Sequence, residues 1–284
     1  MTSLIRLASP ATKEFWEIPI LFENADLLAI NKPPRLLLSP DRLDAKRPSL
    51  SQLLRHELTR GPAWVRERGL TYLANVHRLD FETSGVLLLA KSRPILIAMA
   101  DQFGSDAPVQ TYLALAHGNG AQPVFDVDIR IAPHATRPGV FRADPRTGKQ
   151  CSTRFEVLEQ FRECALLRCW PKPGRPHQIR IHLQCRHQPV VGDALYGGQP
   201  LLLSHLKPGY RLKPGRTEHP LIARAALHAE KLEFRPPGTG APVTLTAPWP
   251  HDLVVAVKYL RRLSTPGGTP PAPAPETAGT AEEA

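Results

Sequence analysis

Apolar residues along this chain fall into short runs broken by turn-forming residues, with a few longer stretches at helical spacing. Residues 18–22 and 27–30 are apolar runs separated by Glu23-Asn24-Ala25-Asp26, a pattern that predicts a hairpin. Residues 86–90, Val-Leu-Leu-Leu-Ala, follow Thr83-Ser84-Gly85 and read as a buried strand. Further strands are expected over residues 109–116, 124–131, 153–158 and 164–170, with a polar Gly/Pro-containing connection at 132–150. Leu50, Leu53, Leu54 and Leu58 recur at helical spacing behind Ser49, a candidate N-cap. Ser92 with Pro94 in the first turn predicts a second helix to about residue 103, and residues 250–263 predict a terminal one. Residues 1–16 are expected to be a loose arm. Residues 264–284, rich in Pro, Ala, Thr and Gly, are expected to be disordered.

Charge changes the picture. The 284 residues carry a formal net charge of +10, and the tail holds Glu276, Glu282 and Glu283 but no Lys or Arg, so the remainder carries +13. Twelve Lys and Arg lie between Arg168 and Arg235 against four acidic residues. A polyanion is the partner such a surface fits. The four cysteines form no C-x-x-C pair, which argues against zinc ribbons and redox motifs and for a reducing compartment. The N-terminus lacks the apolar core of a signal peptide, and no apolar run approaches transmembrane length. A soluble, cytoplasmic, monomeric protein is expected.

The candidate chemistry sits at His77-Arg78-Leu79-Asp80, directly before Thr83-Ser84-Gly85 and the apolar run. Asp80 should lie on a turn at the mouth of a sheet, where reactive groups are carried on a rigid scaffold. A second polar cluster is Gly174-Arg175-Pro176-His177-Gln178-Ile179-Arg180. His177, Arg180 and Gln184 fall on one face of a helix. His177, His182 and His187 are spaced five apart, and core or RNA-facing histidines are the expectation there rather than a metal site. HRLD also resembles the H-R-D loop of protein kinases, but no DFG or Gly-rich loop accompanies it.

Together the motifs resemble the RluA-type RNA pseudouridine synthases, whose patterns are H-R-L-D-x-x-T-S-G, K-x-Y-x-A, T-G-R-t-H-Q-I-R-v-H, P-i-x-G-D-x-x-Y-G and L-H-A. The resemblance runs over about residues 18–250 and leaves no room for the small S4-type RNA-binding domain of many relatives. It implies an α+β fold with a mixed, largely antiparallel central sheet and flanking helices, with the catalytic domain at 17–263. It implies a uridine-to-pseudouridine isomerase acting on rRNA or tRNA with no cofactor. An inactive RNA-binding module of the same fold is the alternative.

The resemblance implies Asp80 as the catalytic aspartate, Arg180 as its guanidinium partner and Tyr112 as the residue against the target base. Arg78, Arg175, His177, Gln178 and Leu227 are implied in substrate binding. Three positions depart from the pattern. Gln110 stands where lysine is usual, which weakens one phosphate contact. Pro176 replaces Thr or Ser in the first turn of a helix. Arg35 replaces Gly after Asn31-Lys32-Pro33, so either the local turn differs or an extra cation faces RNA.

Overall fold

The computed structural model describes residues 4–264, apart from residues 42, 43, 45, 106, 120, 121, 208, 214 and 239. In chain order the elements are β1 (Leu4–Ala8), β2 (Phe15–Glu23), β3 (Leu27–Lys32), α1 (Leu50–Arg60), α2 (Ala63–Arg66), β4 (Ala74–Asn75), β5 (Ser84–Ala90), α3 (Arg93–Gly104), β6 (Val109–His117), β7 (Val124–Asp128), β8 (Ile131–Pro133), β9 (Phe141–Ala143), β10 (Ser152–Gln160), β11 (Cys164–Lys172), α4 (Gln178–Cys185), α5 (Leu203–Leu206), β12 (Leu227–Phe234), β13 (Val243–Thr246) and α6 (His251–Leu263). The main sheet runs β1-β2-β3-β5-β12-β6-β11-β10-β7, with β13 on β12 and β4 on β5. Among the described strands every pairing is antiparallel except β5 with β12. The fold is α+β, with a mixed, mostly antiparallel sheet flanked by helices.

β5 shows why a continuous apolar run forms a central strand: all seven of its residues are buried. Alternation sends Leu87 and Leu89 into one core with α1, while Val86, Leu88 and Ala90 pack with Met99 of α3 in a second core. Gly85 sits where β12 crosses close by. At φ 116° an added Cβ would stand 2.1 Å from the Ala229 carbonyl oxygen, so only glycine fits. That close approach brings the turn before β5 up against β12 and, through it, β6.

Several sequence expectations need correction. Residues 4–8 are not a loose arm: Ile5 and Leu7 are buried, and β1 pairs with β2 from Leu4–Pro19 to Ala8–Phe15. The expected strand at 124–131 stops at Asp128, and the polar connection contains a separate β8–β9 hairpin. α1 forms as expected, but the Ser49 hydroxyl bonds to Gln52 Oε1 instead of capping a backbone N–H. Pro176 lies before the helix, because His177, in a left-handed conformation at φ 56°, is the N-cap of α4. Ser92 does accept from the Ile95 N–H at the start of α3. The tail expected at 264–284 lies outside the described residues except for Ser264. No helix among the described residues is long and apolar enough to cross a membrane.

Candidate active site

Asp80 lies on the turn that feeds β5, closed by the Thr83 N–H on the Asp80 carbonyl at 3.1 Å. The turn is tied down by cations that its own sequence does not contain. Lys32, with no exposed surface, donates to the carbonyls of Pro33 and Thr83 at 2.8 and 2.9 Å and reaches that of Phe81 at 3.4 Å. Burial, helped by the Arg224 charge and opposed by that of Asp80, brings the Lys32 ammonium down to about 7. Buried Arg224 donates to the carbonyls of Glu82 and Leu227, both at 3.0 Å, and grips Asp252 with two further N–H groups. The backbone N–H of Arg35 meets the Phe81 carbonyl at 2.7 Å. Arg35 keeps the left-handed φ of 60° suited to glycine, and its guanidinium is spent on the Ala223 carbonyl. Arg35 is exposed, so its guanidinium charge faces solvent beside the turn. His77 orders the next stretch, its Nε2 accepting the Leu88 N–H at 3.1 Å.

Arg180 reaches this turn from α4, a hundred residues later in the chain. Its Nη1 donates to Asp80 Oδ2 at 3.2 Å, while Nε and Nη2 grip both oxygens of buried Asp193 at 2.6 and 2.8 Å. Its guanidinium also lies over the Tyr196 ring at 4.8 Å. Burial works against the charge, but the Asp193 hydrogen bonds and the Asp80 carboxylate outweigh it and hold Arg180 above its ordinary value. His177 presents Nε2 to the other Asp80 oxygen at 3.8 Å, and its Nδ1 bonds to the Tyr196 hydroxyl at 2.7 Å. Burial pushes the His177 imidazole down, against the pull of Asp80.

A cavity of about 350 Å³ opens beside Asp80, lined by Arg78, Tyr112, Arg175, Arg180 and Leu227. Register explains the grouping: Ala229 of β12 is paired with Gly85 on one side and Tyr112 on the other. Tyr112 is buried, and burial together with the Asp80 charge holds its phenol well above the usual range. Its hydroxyl donates to Gln110 Oε1 at 2.9 Å. Alternation along β6 puts Gln110 on the same face, so the residue standing in for lysine turns to the tyrosine. Arg78 is exposed at the cavity mouth. Gln178 lines the cavity, yet its polar atoms serve the scaffold: Oε1 takes the Arg175 N–H, and Nε2 donates to the Ser152 carbonyl and the Thr153 hydroxyl. Gln184 is exposed and stays outside the group.

Residues 26–185 match the RNA pseudouridylate synthase family. The chain belongs to that family. It is 32% identical over 277 residues to the ribosomal large subunit pseudouridine synthase D of Vibrio vulnificus, spanning 95% of this chain and 79% of that one. It is 34% identical over 250 residues to the synthase D of Xylella fastidiosa, spanning 86% and 70%. To the ribosomal large subunit pseudouridine synthase C of Salmonella typhimurium it is 35% identical over 192 residues, spanning 67% and 57%. The solved structure of human RNA pseudouridylate synthase domain containing 4 shares the fold at a TM-score of 0.62 and 22% identity, over 85% of this chain and 92% of that one. The chain is thus an RluA-type RNA pseudouridine synthase, an isomerase.

Asp193 and Tyr196 escaped the sequence reading as site residues, although both stand in the P-V-V-G-D-A-L-Y-G motif. The signal lay in donor arithmetic: a guanidinium has five N–H groups, and one carboxylate cannot use them all in a buried position. Lys32 and Arg224 were missed because their partners are mostly backbone carbonyls, which leave no mark in a sequence. The histidines at 177, 182 and 187 do not converge. His182 is buried against Thr153 and the Ile129 carbonyl, and no group of three His, Cys, Asp or Glu suited to a metal ion occurs among the described residues.

Proposed function

We propose that this synthase converts uridine to pseudouridine in large-subunit ribosomal RNA, with Asp80, Tyr112 and Arg180 carrying the chemistry and no cofactor. The observation behind this reading is Asp80, held at 3.2 Å by Arg180, beside a cavity that also contains Tyr112. The relatives named above support the choice of RNA. The reaction breaks C1′–N1, turns the uracil and joins C5 to C1′. C5 gives up a proton as it bonds to C1′ and N1 gains one as it is released, so the change is an isomerisation with no redox partner. An ionised carboxylate beside the sugar and base serves as nucleophile or as counter-charge when the glycosidic bond opens. Arg180, anchored on Asp193, aims that carboxylate.

The uridine must leave its stack to enter. Tyr112 offers its ring to the everted base, and its hydroxyl is the candidate general acid/base that moves the C5 proton. Arg78 and Arg175 bind the displaced nucleotide's phosphates, His177 steadies the second Asp80 oxygen, and Leu227 forms the apolar wall. Gln178, expected among the binding residues, contributes by holding the Arg175 loop. The catalytic unit spans 17–263, extended by β1, and works as a cytoplasmic monomer. Pseudouridine mapping of total RNA from cells with and without this protein tests the reading. Loss of one or a few sites in large-subunit rRNA is expected. An unchanged map, or losses confined to tRNA, would overturn the choice of substrate.

A further inference from the structure

The reading of Asp80 as the reacting carboxylate leaves its other side unassigned, and a second cavity of about 680 Å³ opens there. The two cavities share Arg78, Leu79, Asp80, His177 and Arg180. An everted nucleotide stays covalently tied to its neighbours, so a strand that delivers uridine to the first cavity lays a neighbour against the second. The second cavity has a floor suited to a base. Phe81, next to Asp80 in the chain, faces into it, and the Arg47 guanidinium lies over the Phe81 ring at 4.2 Å. Asp41 holds one edge of that guanidinium at 3.1 Å, and the Arg47 side chain remains 40% exposed. A planar cation fixed at one edge and one face has given up most of its rotamer freedom before any ligand arrives, and its outer face is a stacking surface for a nucleobase. The Phe81 backbone beneath it is fixed by the Arg35 N–H and by Lys32. Leu37, Leu38 and Leu195 supply apolar walls, which suit a base better than a phosphate.

We propose that this cavity is a subsite for a nucleotide adjoining the target uridine, with its base stacked on the Arg47–Phe81 pair. The proposal rests on Asp80 being the reacting centre, and its test is made on binding so that it stands or falls without turnover. The probe is a short single-stranded oligoribonucleotide with one central uridine, compared with versions carrying an abasic ribose immediately 5′ or 3′ of that uridine. Affinities are measured by fluorescence anisotropy on the full-length chain carrying Asp80→Asn, alone and with Phe81→Leu, Phe81→Trp or Arg47→Lys. One of the two abasic probes should bind about tenfold more weakly than the intact one. Phe81→Leu and Arg47→Lys should weaken the intact probe to the same degree, with no further loss on that abasic probe. Phe81→Trp should keep the intact affinity. Additive losses, equal binding of all probes, or a Phe81→Trp variant as weak as Phe81→Leu would overturn the subsite. Product formed by Asp80→Asn would instead overturn the assignment of Asp80 and leave the binding cycle readable.

Discussion

The turn at Asp80 and the segment from residue 207 to residue 216 are both rich in cations and use them in opposite ways. Around the turn, Lys32, Arg180 and Arg224 are buried, and each spends its N–H groups on carbonyls or carboxylates. Along the outer segment Lys207, Arg211, Lys213 and Arg216 are exposed. The first arrangement holds one carboxylate in a fixed place and is insensitive to salt, because its charges are desolvated. The second can bind a phosphate chain wherever it passes and is screened by salt. Under the proposed function, precision in the chemistry and tolerance in the grip would fall to different cations of the same chain.

The contrast is broken most severely at Arg224. Arg224→Met removes the donor from the carbonyls of Glu82, Ala225 and Leu227 and the partner from Asp252, and should cost about 3–5 kcal/mol of stability. Urea unfolding would measure it as a fall in the midpoint. The next effect is pH-dependent. His228 is fully buried, bonds to the Ser84 hydroxyl at 2.9 Å, and is pushed by burial down to about 4. In the unfolded chain it takes a proton near its ordinary value of about 6.5. Between those values the unfolded state binds more protons, so this stability is present above about pH 6.5 and is lost as pH falls toward 4. The loss is about 3 kcal/mol. Comparing the pH dependence of unfolding in wild type and His228→Asn isolates this share.

Arg180→Lys keeps the charge but cannot grip Asp193 with two N–H groups while reaching Asp80. A fall in kcat of roughly a hundredfold is expected, with little change in KM, from single-turnover assays. The smallest effect belongs to the outer segment. Replacing Lys207, Arg211 and Lys213 together with Ala should lower RNA affinity about tenfold at low salt and flatten its salt dependence by about two in slope, leaving kcat unchanged.

The sequence made one half of this contrast readable. The turn, its apolar strand and the Arg-bearing helix all announce themselves, because the turn residues Thr83-Ser84-Gly85 and the unbroken apolar run Val86 to Ala90 are contiguous in the sequence. The basic excess between Arg168 and Arg235 was equally plain as composition. The supports were hidden. Arg224 acts on Glu82 across the fold, and Asp193 and Tyr196 act on Arg180 and His177, contacts that exist only once the sheet has formed. β1 was overlooked although Ile5 and Leu7 alternate with exposed neighbours, because it is short, lies at the sheet edge and is followed by Ser, Pro and Thr.

The most direct test is a paired measurement on Asp80→Asn, which preserves size and shape and removes the charge. RNA affinity should stay within about twofold of wild type, because the exposed cations supply the grip. Pseudouridine formation should fall by at least about a thousandfold. A variant that binds RNA equally well and still forms product at a comparable rate would contradict the account at its centre.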